Sequence, residues 1–177
     1  MTDHSNDTKV HHPAVTKVAP VEKPTAKPPV GILFEWLHER FLQGEKGWPA
    51  DPRMGQHHNF GCELNTYQIC REMIVVPDTK EHDCSYADWL MSGHAPASTV
   101  GNHPLPVVGP ATHFVSHAWG FNFQMFMRSL RSYVSTSTTA EEKANGIYFW
   151  IDIFVVDQHA AARGDMDESY WETTFRS

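Results

Sequence analysis

Ten consecutive residues, Ile147 to Val156, carry a single charge, that of Asp152. A run this apolar has to be covered on both sides, and a strand covered on both faces belongs to a parallel sheet with helices above and below it. A second, shorter β-prone run, Thr112-His113-Phe114-Val115-Ser116, lies upstream. Between the two, Phe123, Phe126, Met127, Leu130, Tyr133 and Val134 recur with a helical period and share one face. Ser135 to Thr139 breaks that helix, and Thr139-Ala140-Glu141-Glu142 has the spacing of a capping box ahead of Asn145-Gly146. Strand, helix and strand at this spacing predict a right-handed crossover between two parallel strands.

In an open parallel sheet, ligands and chemistry gather beyond the carboxyl ends of the strands. The first strand brings Ser116, His117 and Trp119 to that edge. The second brings Asp152, with Asp157, Gln158 and His159 just beyond it. Neither loop carries a dinucleotide-binding glycine fingerprint or a P-loop. Ser116, His117 and Asp152 have the residue types of a hydrolase triad, but consecutive strand residues point to opposite faces, and no G-x-S-x-G elbow surrounds the serine. Each residue also has a plain structural reading. Ser116 can end a strand, Asp152 can brace the loop after it, and Trp119 and Trp150 can be core.

Residues 1–30 are expected to form a disordered tail. They hold Lys, Thr, Pro and His with scattered Val and no apolar period, so ordering them gains too little burial. Residues 31–110 read as a helical, loop-rich preface. Leu33, Leu37 and Phe41 stripe an amphipathic helix over Gly31 to Leu42, and Glu45 to Glu63 reads as a loop. Asn65 caps a helix that runs to about Ile74 and is ended by Val75-Val76-Pro77. Ser85 caps a short helix from Tyr86 to Ser92, closed by Gly93, and residues 94–110 are rich in Pro and Gly. Nothing in this half has the residue types of an active centre at a workable spacing.

The formal charge of −7 argues against a general nucleic-acid binder. No stretch approaches the ~20 apolar residues that cross a bilayer, and the N-terminus lacks the apolar core of a signal peptide, so the expected location is cytoplasmic and off the membrane. Cys62, Cys70 and Cys84 are odd in number and form no C-x-x-C pair, in keeping with a reducing compartment. Twelve histidines raise the question of metal, with His82-Asp83-Cys84 as a conceivable half-site. Four ligands in two short-spaced pairs cannot be assembled, so no metal is assigned.

Phe114-Val115-Ser116-His117-Ala118-Trp119 resembles the first box of TIR domains, an F-[IV]-S-[HY] strand that ends at a nucleotide crevice. Tyr148-Phe149-Trp150-Ile151-Asp152 with Val156-Asp157-Gln158-His159 resembles the second strand of TIR-like proteins of algae, oomycetes and other protists. It is also similar to the W-[IL]-D-x-x-x-[IV]-x-Q signature of fungal heterokaryon-incompatibility domains. With Cys84-Ser85-Tyr86 and Val108-Gly109-Pro110-Ala111-Thr112, the resemblance spans residues 84–159.

That resemblance implies a flavodoxin-like α/β domain of five parallel strands, beginning in residues 111–177. It implies association with itself or with other TIR-like domains in signalling, and a pocket in which Ser116, His117, Trp119 and Asp152 hold a nucleotide such as NAD. Some members of that group hydrolyse NAD, using a glutamate in a W-C-x-x-E context after the third strand. Here Ala160 to Ser177 reads as a loop followed by a helix from Glu168 through Phe175, with neither a third strand nor that motif. The role is not carried onto Glu172. The expectation is therefore an incomplete domain whose two-strand sheet leaves an apolar edge. It would act as a catalytically silent interaction module, with no cofactor required and NAD cleavage possible only in a longer product. An unrelated α/β hydrolase or metal protein is the remaining alternative.

Overall fold

The computed structural model describes the backbone of residues 14–17 and residues 29–42, 64–95 and 103–166. The loop expected over Glu45–Glu63 lies outside these residues, as do the helix expected over Glu168–Phe175 and most of the expected tail. Five strands form one mixed sheet: β1 (Ala14–Lys17), β2 (Val30–Leu33), β3 (Val108–Pro110), β4 (His113–Ser116) and β5 (Tyr148–Ile151), in the order β1-β4-β5-β2-β3. The β4–β5 pair is parallel, with His113, Phe114 and Val115 opposite Phe149, Trp150 and Ile151. The β1–β4, β2–β5 and β2–β3 pairs are antiparallel. The chain is thus mixed α/β, and among the described residues the parallel arrangement expected from the sequence is met in the β4–β5 pair alone.

Four further expectations change. A strand, β1, occupies part of the segment expected to be a disordered tail, because its backbone groups find partners on β4. The stretch 31–110 is not a separate helical preface, since β2 and β3 from that stretch belong to the same sheet as β4 and β5. The expected helix over Gly31–Leu42 begins only at Phe34; Val30–Leu33 is strand, and the helix α1 runs Phe34–Leu42. Nor do β4 and β5 stand as a two-strand sheet with an apolar edge, because β1 and β2 flank them.

The crossover is built as its sequence dictates. Helix α5 (Phe123–Ser137) buries Phe123, Phe126, Met127, Leu130 and Val134, and its N-cap Asn122 accepts from the Met125 amide at 2.9 Å. Helix α6 (Ala140–Asn145) carries the anticipated capping box between Thr139 and Glu142. It ends at Gly146, whose φ of +87° a side chain would resist. Strand β5 is buried at every position, but it ends at Ile151 rather than Val156. Asp152–Val155 forms a single helical turn, α7, and Asp157 caps α8 (Gln158–Arg163) by accepting from the His159 and Ala160 amides.

Upstream, Asn65 and Gln68 form a capping box on α2 (Thr66–Gln68), which passes directly into a five-residue π-helical turn, Ile69–Met73. Val75-Val76-Pro77 opens the helix α3 (Val75–Thr79) instead of ending the one before it. Pro77 sits in the first turn, where its missing N–H forfeits no intrahelical bond. Ser85 caps α4 (Tyr86–Met91), and Gly93 follows at φ +75°.

One aromatic cluster closes the core. Phe41 meets Phe123 edge-on at 5.2 Å and stacks on Phe154 at 5.6 Å, while Tyr86 lies against both Phe154 and Trp36. Packing of α1, α4, α5 and α7 on one another through these rings fixes where the carboxyl ends of β4 and β5 open.

Candidate functional site

The loop leaving β4 is held by backbone pairing with a remote segment. The Tyr67 amide donates to the Trp119 carbonyl at 2.8 Å, the Thr66 amide to Phe121, and the Phe123 amide to Leu64. Thr66, fully buried, also gives its hydroxyl to the Trp119 carbonyl at 2.6 Å. These bonds deliver the Trp119 indole to the end of β5, where its Nε1–H donates to Asp152 Oδ2 at 3.0 Å. Asp152 Oδ1 accepts from the Ile153 amide at 2.8 Å, and the Asp152 carbonyl accepts from Gln158 Nε2 at 2.9 Å. One residue thus anchors the β4 loop, the start of α7 and the start of α8.

His117 completes the cluster from below. Its side chain has no exposed surface, and Nδ1 stands 3.5 Å from Asp152 Oδ1. Neither ring nitrogen has a hydrogen-bond partner among the described residues. The ring packs on Phe126 of α5 with centroids 4.8 Å apart. Burial holds the His117 pKa below its ordinary value, and the Asp152 carboxylate opposes that shift only in part. Burial thus disfavours the charged imidazolium of His117.

Ser116 is exposed, at the end of β4. It continues the face on which Phe114 stacks on Trp150 at 4.2 Å, whereas His117 packs on α5. The pleat has separated the two neighbours as the alternation of a strand requires. Of the four residues singled out by sequence, Trp119, Asp152 and His117 come together and Ser116 stays apart.

Three contributors carry no sequence signal of their own. The Arg71 guanidinium lies 5.7 Å above the Trp119 ring and donates to the Gln158 carbonyl at 2.8 Å. Tyr67, half exposed, sits at 6.2 Å from the same indole. Thr66 is a buried polar residue whose partners are the Ala118 and Trp119 carbonyls. Only Asn65, read as the cap that starts this helix, hinted that the segment was anchored.

His82-Asp83-Cys84 does not assemble as a half-site. His82 stacks on His94 with centroids 4.0 Å apart, and Asp83 pairs with Arg163 at 2.7 Å. That pairing holds the Asp83 carboxyl below its usual range. Among the described residues no three His, Cys, Asp or Glu side chains come together as a metal site. No helix among them is long and apolar enough to cross a membrane. Comparison of the chain with family models, with curated proteins and with solved structures returns no match.

Proposed function

We propose that this chain is a TIR-like signalling module that acts by association and does not itself cleave NAD. The observation that carries this reading is the junction of Trp119, Asp152 and His117 at the carboxyl end of the one parallel strand pair. There the polar atoms of Trp119 and Asp152 are used to hold loops: the Asp152 carboxylate accepts from the indole N–H and from a backbone amide, and the Asp152 carbonyl accepts from Gln158 Nε2. No glutamate is among the partners of these side chains in the described residues. The flavodoxin-like character of the proposal is confined to the unit β4-α5-β5, which β1 and β2 flank antiparallel, with β3 pairing antiparallel to β2 beyond them. The partners in this reading are a second copy or another TIR-like domain, in the cytoplasm.

A second reading, NAD binding with cleavage in a longer product, draws on one feature. Arg71 above Trp119 and the half-exposed Tyr67 beside it make a cationic and aromatic rim of the kind that stacks planar rings. Analytical ultracentrifugation and a nicotinamide-release assay on the same preparation separate the two. Association that rises with concentration, without nicotinamide release, is expected. A chain that remains strictly monomeric counts against the first reading, and release of nicotinamide by this chain replaces it with the second.

A further inference from the structure

Strand β1 is joined to the sheet in an unusual place. Its chain neighbour β2 lies three strands away, across β4 and β5, so β1 docks on β4 independently of the strand that follows it in sequence. It pairs over four residues, Ala14 opposite Ser116, Val15 opposite Val115, Thr16 opposite Phe114 and Lys17 opposite His113. As an edge strand it has one neighbour, and β4 keeps its parallel pairing to β5 whether or not β1 is in place.

The geometry of the connection does not tie β1 to its own sheet. Three strand spacings are about 14 Å, and the twelve residues 18–29 span up to about 40 Å when extended. Pro13 and Pro20 flank the segment in sequence and offer no ladder N–H, which limits how far such a strand can extend. Released, β1 would leave on β4 a row of unpaired N–H and C=O groups beside the buried Val115 and His113, a template for another strand.

We propose that the outer side of β4 is a strand-accepting interaction surface. It is filled in this chain by its own Ala14–Lys17 and is open to the same four residues of a second copy when that strand leaves. Recognition is through the main-chain ladder, with the Ala-Val-Thr-Lys register opposite Ser116 to His113. Intramolecular tethering gives β1 an effective concentration on the order of millimolar, so the site stays self-filled until β1 is displaced. The inference stands apart from the TIR-like reading, because it needs no nucleotide and no residue of the Asp152 junction.

The test uses the full chain with Val15→Pro and Thr16→Pro, which removes two consecutive backbone N–H groups of β1, one of them facing β4, and forces the strand off its ladder geometry, and a fluorescent peptide of residues 10–20. Fluorescence anisotropy should show binding to the substituted chain and at least about tenfold weaker binding to the unaltered one, whose site is occupied. The same peptide carrying both prolines should not bind. A substituted chain with unchanged circular dichroism that ignores the peptide overturns the proposal, and so does equal binding by both chains. Should the substitutions unfold the protein, amide exchange on the unaltered chain decides. Those amides of residues 14–17 that face β4 should exchange slowly and then speed up when unlabelled peptide is added on the order of millimolar, while β4 stays protected. Rapid exchange at these β4-facing amides without peptide, or slow exchange indifferent to it, refutes the proposal.

Discussion

Trp119 donates its indole N–H to Asp152 at 3.0 Å, joining the loop after β4 to the first residue of α7 across 33 positions of sequence. A hydrogen bond to a carboxylate that keeps a quarter of its side-chain surface is worth about 1–2 kcal/mol. Trp119→Phe and Asp152→Ala should each lower stability in urea titration, by more than this where packing is also lost. The double variant should lose about 1–2 kcal/mol less than the sum of the single losses. Strict additivity would mean that the bond does not hold the loop.

His117 makes stability depend on pH in one direction. Burial lowers its folded-state pKa below the ordinary 6.5, so the unfolded chain takes up a proton first as the pH falls. Bound protons then favour the unfolded state, and stability should be full above about pH 7 and decline as the pH drops through 6.5 and below. His38, lowered by its burial and by Arg131, adds to the same trend. His117→Phe, beside Phe126, should flatten the decline without abolishing it, as read from urea midpoints between neutral and mildly acid pH. An unchanged slope would assign the effect elsewhere.

Gly31 lies on β2 with no room for a side chain against β5. A Cβ there would stand 3.0 Å from the Tyr148 carbonyl carbon, 3.1 Å from the Phe149 carbonyl carbon and 3.1 Å from Ala111 Cα. All three are backbone atoms, which cannot rotate aside. Gly31→Ala should therefore cost about 1–3 kcal/mol as β2 is pushed from its neighbours. Thermal unfolding measures the loss, and a neutral or stabilising result would show that β2 does not pair so closely.

The sequence announced the parts of this fold that are encoded locally. Asn65, Ser85 and Thr139 were legible as caps because each sits before a helix with an acceptor at the right atom, and α5 was legible because five of its six periodic positions are fully buried. The pleat separating Ser116 from His117 followed from strand geometry alone. What escaped was non-local. Antiparallel docking of β1, β2 and β3 depends on partners roughly 75–117 residues away, which no window of periodicity contains. The short α8 was readable in principle, with Asp157 as its cap, three alanines at its centre and Gly164 at its end. The apolar run Ile147–Val156 obscured it by suggesting a longer strand.

That run supplies the sharpest remaining test. Continuous apolar sequence does not distinguish a buried strand from a buried helix turn, and here it is both, with the change at Asp152. In a continued strand, Phe154 would face away from its two neighbours. In α7, Ile153, Phe154 and Val155 are all buried, and the Phe154 ring stacks on Phe41 at 5.6 Å and meets Tyr86 at 5.8 Å. Phe154→Ala should open a cavity at the meeting point of α1, α4 and α7 and cost about 3–5 kcal/mol. Phe154→Leu, which keeps most of the volume, should cost distinctly less. Denaturant midpoints for the two variants measure this, and an alanine variant as stable as the leucine one would remove Phe154 from the core.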